Sequence, residues 1–164
     1  MSTEGSPVDE RRGKVDASGI RMAVVAARFN NHITDSLLAG ALAALREHGA
    51  TDDDIVSIRV PGAWELPQTA ARAVRTGAFD AVITLGCVIR GETPHFDYVC
   101  QEASLGLGAV ARQSDIPVVF GVLTTDDEAQ ARARAGAGRE NKGYEAAMAA
   151  LEMVEVYRTM DGSA

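Results

Sequence analysis

The sequence of 164 residues predicts an α/β fold in which a four-stranded parallel sheet lies between two layers of helices. Two observations lead to this prediction. Short apolar runs, typical of strands that are buried on both faces, recur along the chain. They alternate with segments of helical spacing in the regular order β-α-β-α-β-α-β-α-α. That order favours a parallel sheet with helices on both faces, a doubly wound three-layer sandwich.

The first half of the chain shows this alternation. Residues 20–27 form the first apolar run and are predicted as a strand. Leucine and alanine recur at helical spacing between residues 37 and 45, and Gly49 stands where a helix commonly ends. A second strand is predicted over residues 55–60. A helix follows over residues 64–75, with a proline in its first turn, where proline is tolerated.

The second half of the chain repeats the pattern. The apolar run at residues 80–86 predicts a third strand, and residues 91–95 form a loop before a long helix over residues 96–112. A fourth strand and two more helices complete the fold, at residues 117–122, 126–135 and 141–158. Right-handed crossovers between the parallel strands then fix most of the topology.

A single domain is expected, because domains commonly contain roughly 100–200 residues. We expect a flexible arm over residues 1–19, one domain over residues 20–160 and a tail over residues 161–164. The arm lacks the apolar stretch of a signal peptide, so the expected location is cytoplasmic. No apolar run in the sequence approaches the roughly 18 residues of a membrane span.

The composition argues against several classes of protein. The chain is 46% hydrophobic and 24% charged, which is ordinary for a globular domain. The formal net charge of -7 argues against a nucleic-acid partner, because such proteins carry clustered basic surface. Two cysteines, Cys87 and Cys100, and three histidines occur without a CxxC pair. Neither a disulfide framework nor a metal site is therefore predicted.

The loops that follow the four strands carry the side chains with the most chemistry. In open sheets of this kind the ligand lies beyond the carboxyl ends of the strands. The loops at residues 28–31, 61–65, 87–95 and 121–126 should therefore share one pocket. They hold aromatic, acidic, hydroxyl and histidine side chains suited to a planar polar ring and an anion. GxGxxG, GxxxxGK[ST] and GxSxG are absent, which argues against dinucleotide, nucleoside-triphosphate and hydrolase sites of those types.

Two motifs at these loops carry a family resemblance. Residues 61–67, PGAWELP, and residues 85–99, LGCVIRGETPHFDYV, resemble the two signatures of the lumazine synthase family. Three further segments extend the match in the same order, FGVLTT at 120–125, RAG at 134–136 and NKG at 141–143. The similarity runs from about Ile20 to Met160. It implies a flavodoxin-like version of the three-layer sandwich predicted above.

The resemblance assigns binding roles to residues of these motifs. It implies that Phe29 stacks on the ring of 5-amino-6-(D-ribitylamino)uracil, and that Glu65 orients the ribityl hydroxyls together with the backbone of Ala63 and Trp64. The ring edge and the closing wall of the pocket would be formed by four more residues, Cys87, Val88, Ile89 and Phe120. Two further candidates are Asn30 and Lys142.

The second substrate implied by the resemblance is 3,4-dihydroxy-2-butanone 4-phosphate. Its phosphate would meet Gly91, Glu92 and Thr93 at the start of a helix, where free N–H groups and the helix dipole attract anions. Arg134 would complete the phosphate site, and His95 would move protons as a general acid or base. The acidic side chain of Glu92 must then point away from the phosphate. The reaction has no redox step, so no cofactor is implied.

The resemblance also implies a homo-oligomer, because the family builds each active site between adjacent subunits. A pentamer, a decamer and a capsid of sixty subunits are the alternatives. The absence of an insertion between Arg134 and Asn141 favours the capsid. Whether riboflavin synthase is a partner stays open.

Two other functions fit parts of the sequence. A non-catalytic shell protein that binds flavin or lumazine would keep the pocket. It would need neither the proton transfer of His95 nor the phosphate contact of Arg134. A flavodoxin-like electron carrier would share the fold class, but no motif supports it, and a fold alone does not determine function.

Overall fold

The computed structural model describes residues 8–162 and confirms the predicted α/β fold. The strands are β1 (Met22–Ala27), β2 (Ile55–Val60), β3 (Ala81–Ile89) and β4 (Val118–Thr125). The helices are α1 (Asn31–Glu47), α2 (Leu66–Arg75), α3 (His95–Gln113), α4 (Glu128–Arg134) and α5 (Lys142–Asp161). Single helical turns at Asp52–Asp54 and Ala63–Glu65 precede β2 and α2.

The sheet is parallel throughout, with the strand order β2-β1-β3-β4. Helices α1 and α5 pack together on one face, and α2 and α3 pack together on the other. The chain winds outward from β1 to β2 and then returns to place β3 on the other side of β1. A crevice opens at such a reversal, beyond the carboxyl ends of the two central strands, and it is where ligands bind in sheets of this kind.

The side chains on the two faces of β1 belong to two separate hydrophobic cores. Met22, Val24 and Ala26 belong to the core under α1 and α5. Ala23, Val25 and Ala27 belong to the core under α2 and α3. Successive side chains of a strand point to opposite faces, so a continuous apolar run is what a central strand between two helical layers requires. The prediction of burial on both faces is confirmed for β1, all of whose residues are buried.

The same prediction is wrong for β2. Only Val60 of this strand is buried, whereas Ser57 and Arg59 are exposed and Val56 is 45% exposed. The reason is position, because β2 lies at the edge of the sheet and pairs only with β1. An edge strand leaves backbone groups and side chains open to solvent or to another chain.

Three elements extend further than the sequence pattern predicts. Strands β3 and β4 continue in register through the pairs Cys87↔Leu123 and Ile89↔Thr125, beyond the predicted ends at residues 86 and 122. Helix α1 begins at Asn31, because Asn30 turns the chain with a φ of 60° and its carbonyl oxygen accepts from the next turn. These extensions bring β3 and the start of α1 to the same edge of the sheet.

The terminal segments lie partly outside the described residues. Of the predicted arm, residues 1–7 are not described, whereas Arg11 donates to the carbonyl oxygen of Thr159 at 2.7 Å. Ala17 is 1% exposed, and its N–H donates to the carbonyl oxygen of His48 at 2.8 Å. The packed part of the chain therefore includes Ala17, ahead of the predicted start at Ile20. Residues 163–164 of the predicted tail are not described, and among residues 8–162 no helix is long and apolar enough to cross a membrane.

Candidate active site

A cavity of about 570 Å³ lies at the carboxyl ends of β1, β2 and β3. Three of the four strand-end loops line it, together with the first turns of α3. The lining residues are Phe29, Pro61, Gly62, Ala63, Trp64, Glu65, Cys87, Val88, Ile89, Gly91, Thr93, His95, Phe96 and Val99. The structure thus brings together ten of the residues singled out from the sequence, including the histidine and both aromatic side chains.

The loop after β1 presents Phe29 at the mouth of the cavity. The N–H of Phe29 donates to the carbonyl oxygen of Pro61 at 2.9 Å, which ties this loop to the end of β2. Asn30 donates from Nδ2 to the carbonyl oxygen of Cys87 at 2.9 Å, which ties it to β3. The ring of Phe29 is 71% exposed, so a planar ligand could cover it. Asn30 does not line the cavity and acts on the loop instead.

The carboxylate of Glu65 is held by its own turn. Its Oε2 accepts from the N–H of Gly62 at 3.1 Å, which closes the short helical turn before α2. The other oxygen, Oε1, has no hydrogen-bond partner among the described residues, so it is free to accept from a ligand hydroxyl. Trp64 is 50% exposed beside it.

The loop before α3 supplies the polar end of the cavity. Gly91 and Thr93 line it, and His95 is the first residue of α3. Thr93 Oγ1 accepts from the N–H of His95 at 3.5 Å. The 19-residue helix α3 begins at this end, and the positive end of its dipole favours an anion. Glu92, which the sequence also assigned to the phosphate site, is exposed and does not line the cavity.

Cys87 forms part of the inner wall. It is 3% exposed, and its burial raises the pKa of the thiol to about 11, with a smaller contribution from the negative charge of Glu128. The side chain is therefore an uncharged thiol near neutral pH. A buried thiol of this kind packs as a small apolar group and is a poor nucleophile.

This raised pKa predicts a loss of stability at high pH. The folded state holds the thiol proton more tightly than the unfolded chain, so the stabilisation is complete below pH 9.0 and is lost as the pH rises through about 11. Cys87→Ala removes the titration. We expect the free energy of unfolding of the wild type to fall by about 2–3 kcal/mol relative to this variant over that range. Urea unfolding at a series of pH values measures the difference, and parallel curves for the two proteins would contradict it.

The fourth strand-end loop does not reach this cavity. The expectation of one shared pocket is therefore wrong for residues 121–126 within a single chain. Phe120, Arg134 and Lys142 line a separate depression of about 420 Å³ beside β4 and α5. Phe120 is the third residue of β4, opposite Thr84, and it is 47% exposed at the edge of the sheet. It therefore lies well before the carboxyl end of its strand.

The two basic residues of this depression lie at the ends of helices. Arg134 closes α4 and donates to the carbonyl oxygen of Gln130 at 2.9 Å, and Lys142 opens α5 and pairs with Glu145 at 2.7 Å. Both belong to the helices that follow β4. Helix α5 packs on the face of the sheet opposite α3, so one chain does not bring these side chains to His95.

Comparison with known proteins identifies the family. Residues 19–158 match the family model described as 6,7-dimethyl-8-ribityllumazine synthase. The chain belongs to the 6,7-dimethyl-8-ribityllumazine synthase family. It is 50% identical over 150 residues to the 6,7-dimethyl-8-ribityllumazine synthase of Salinibacter ruber, a match that covers 92% of this chain and 96% of that protein. The resemblance expected from the sequence motifs is confirmed.

The cavity of this family member has four wall residues that the sequence reasoning did not single out. Pro61, Gly62, Phe96 and Val99 line it. The first two belong to the loop already quoted as a motif. Phe96 and Val99 lie one and four residues after His95 on α3, so helical spacing places Val99 on the face of the histidine. Among residues 8–162, no group of three or more His, Cys, Asp or Glu side chains is placed to hold a metal ion.

Proposed function

We propose that this chain catalyses the lumazine synthase reaction of riboflavin biosynthesis in the cavity at the carboxyl ends of β1, β2 and β3. The substrates are 5-amino-6-(D-ribitylamino)uracil and 3,4-dihydroxy-2-butanone 4-phosphate. An amine of the pyrimidine condenses with the ketone, phosphate leaves, and ring closure with loss of water gives 6,7-dimethyl-8-ribityllumazine. The observation that carries the proposal is the joining of Phe29, Glu65 and His95 in one cavity of a chain of this family.

The pyrimidine binds at the aromatic mouth of the cavity. Phe29 offers an exposed ring, and Val88 and Ile89 of β3 provide an apolar wall. Offset stacking on an aromatic ring is worth about 0.5–1.5 kcal/mol beyond the burial of its surface. The ribityl chain then extends towards Glu65, whose free Oε1 accepts from hydroxyl groups. The backbone of Ala63 and Trp64 completes that contact.

The phosphate of the second substrate binds at the start of α3. Gly91 and Thr93 lie beside the first turn of this helix, where the positive end of the helix dipole and a hydroxyl can meet an anion. The cavity of about 570 Å³ is lined by both the aromatic residues and the start of α3, so it can hold the two reactants side by side. Holding two reactants in this way can lower a barrier by about 7–11 kcal/mol.

His95 transfers protons between the reacting groups. Its side chain is exposed to the cavity between the ring site and the phosphate site, and no described residue hydrogen-bonds to its ring nitrogens. The imidazole is therefore available to the substrates. It takes a proton from the attacking amine and returns one to the carbonyl oxygen that departs as water, acting as a general acid and base.

A neighbouring copy of the chain completes each site. The depression with Phe120, Arg134 and Lys142 faces outward at the open edge of β4, away from the cavity of its own chain. A contact that joins the cavity of one copy to the depression of the next uses two different surfaces. Contacts of this kind produce closed rings when the rotation permits. The ring brings Arg134 to the phosphate end of the neighbour's cavity.

Exposed apolar side chains support an assembly of this kind. Tyr98 and Leu105 on α3 are 66% and 71% exposed, and Val56 on the edge strand β2 is 45% exposed. Exposed apolar surface near a site is typical of a protein interface. We propose a ring of five subunits, free or assembled further into a decamer or a capsid of sixty. The mass of the native particle distinguishes these three forms.

The formation of product tests the proposed activity directly. Purified protein is mixed with both substrates, and the absorbance of 6,7-dimethyl-8-ribityllumazine is followed against the uncatalysed background. A rate well above background is the expected result. Background turnover accompanied by tight binding of lumazine or flavin would replace this proposal with that of a non-catalytic binding protein.

A further inference from the structure

The position of His95 is not fixed by contacts of its own side chain. Residues 91–95 are all exposed, and the only hydrogen bond described for His95 outside its helix is the 3.5 Å backbone contact with Thr93. The place of the imidazole in the cavity is therefore set by the orientation of the first turn of α3. Whatever holds that turn against the sheet controls the geometry of proton transfer.

Arg90 contacts the first turn of α3 and the loop between β4 and α4 at the same time. Its guanidinium lies over the ring of Phe96, with 4.4 Å between the Cζ atom and the ring centroid. Its Nη1 is 3.6 Å from Asp97 Oδ1, in the same turn of α3. Its Nε donates to Asp126 Oδ1 at 2.9 Å, in the loop between β4 and α4. Arg90 thus contacts both residues that directly follow His95.

The backbone of Arg90 is also fixed. Its N–H donates to the carbonyl oxygen of Thr125 at 2.9 Å, one residue beyond the last pair of β3 and β4. The side chain therefore projects from the rigid end of the sheet. The loop that begins at Gly91 leaves this fixed point and returns to it at Phe96, so both ends of the loop are held at Arg90.

The three contacts use distinct parts of the guanidinium. The planar face stacks on an aromatic ring, and the N–H groups at the edge reach two carboxylates. A lysine ammonium can meet a carboxylate, but it has no planar face and no fixed fork. The geometry therefore requires arginine in particular.

We propose that Arg90 is a positioning residue that holds His95 in the catalytic geometry by fixing the first turn of α3 to the β4–α4 loop. The inference rests on the proposed function of the cavity. Arg90 does not line the cavity, so it acts on substrates only through Phe96 and the turn that carries His95. Its side chain is 49% exposed, and exposed ion pairs contribute little to stability. Its removal therefore changes turnover much more than folding.

The test compares variants of the full-length protein. Arg90→Ala removes all three contacts, and Arg90→Lys keeps the charge alone. Arg46→Ala is the matched control, because Arg46 also donates from Nε to an aspartate at 2.8 Å on an exposed surface, at the end of α1 away from the cavity. The rates of lumazine formation give kcat and the KM of each substrate, and thermal melting reports on folding.

We expect Arg90→Ala to lower kcat by about 10- to 100-fold while the KM of the pyrimidine stays within about twofold, because misplacement of a catalytic group acts on the chemical step. Arg90→Lys should recover only a small part of the loss. Arg46→Ala should match the wild type. Asp126→Ala should reproduce part of the Arg90→Ala effect and add little to it in the double variant, since the two residues share one contact.

Amide hydrogen exchange separates this inference from the proposed function. Exchange over residues 91–97 should be faster in Arg90→Ala and Arg90→Lys than in the wild type, and unchanged in Arg46→Ala. This readout does not need turnover, so it still decides the positioning role if the wild type makes no product. A kcat for Arg90→Ala equal to that of Arg46→Ala, full rescue by lysine, or unchanged exchange over residues 91–97 would each overturn the inference.

Discussion

His95→Ala is expected to lower kcat by about 10²- to 10⁴-fold, the usual contribution of general acid–base catalysis. The KM of the pyrimidine should change by no more than about twofold, because an interaction made only in the transition state affects turnover and leaves binding intact. Phe29 and Glu65, the residues proposed to bind that substrate, lie in other loops of the cavity and remain in place. Steady-state rates of lumazine formation measure both constants.

Another histidine of the chain provides the matched control. His32 lies near the start of α1, is 42% exposed and pairs with Glu128 at 3.0 Å, and it does not line the cavity. His32→Ala should leave kcat near the wild-type value. Wild-type turnover in His95→Ala would show that His95 is not the general acid or base of the reaction. An equal loss in both variants would indicate a general effect on the fold.

Arg134→Ala is expected to have the second largest effect. If Arg134 reaches the phosphate in a neighbouring subunit's cavity, its loss removes a charge-assisted hydrogen bond worth about 1.5–3 kcal/mol. That corresponds to a fall in kcat/KM of about 10- to 150-fold, carried mainly by the KM of the phosphate substrate. The KM of the pyrimidine should change little. Titration of each substrate at saturating concentrations of the other gives the two values.

Mixed oligomers test whether the site is shared between chains. Chains with His95→Ala and chains with Arg134→Ala are co-expressed and purified together through two different tags. A site is restored when its histidine comes from an Arg134→Ala chain, in which His95 is intact, and its arginine comes from a His95→Ala chain, in which Arg134 is intact. With random mixing this is about a quarter of the sites, since each residue is intact in half of the chains.

The control for this experiment uses two residues of one cavity. Phe29 and His95 line the same cavity in a single chain. Co-expression of Phe29→Ala with His95→Ala therefore leaves every site defective, and no recovery is expected. Recovery in the first mixture and none in the second identifies a shared site. Failure of both mixtures, with normal assembly, would show that no active site combines His95 of one chain with Arg134 of another.

The sequence predicted the cavity well where the functional residues are close in sequence to a strand end. Trp64, Glu65 and His95 lie within about six residues of the ends of β2 and β3, and parallel strands bring the segments that follow them to one edge of the sheet. Phe120 and Arg134 did not follow this rule. One lies inside an edge strand and the other at the far end of a helix, so their distance in sequence from a strand end says little about where they lie.

Contacts between distant segments were also not predictable. The interaction of Arg90 with Asp126 joins two loops that are 36 residues apart, and no local pattern marks it. The bond between Glu65 and Gly62 is local, yet it depends on the turn adopted at the end of β2. Side-chain partners of this kind follow from packing, which composition and spacing do not describe.

The sequence by itself determined the order and type of the elements, the parallel sheet and the loops that form the cavity. Hydrophobic periodicity and turn residues are local properties, so each short segment carries its own signal. The tertiary structure alone decided that β2 and β4 are edge strands, and that Arg134 lies away from His95 within one chain. It also decided that Arg90 contacts both the first turn of α3 and the loop between β4 and α4. Strand order and long-range contacts depend on how the whole chain packs, because the same local pattern fits a central strand and an edge strand alike.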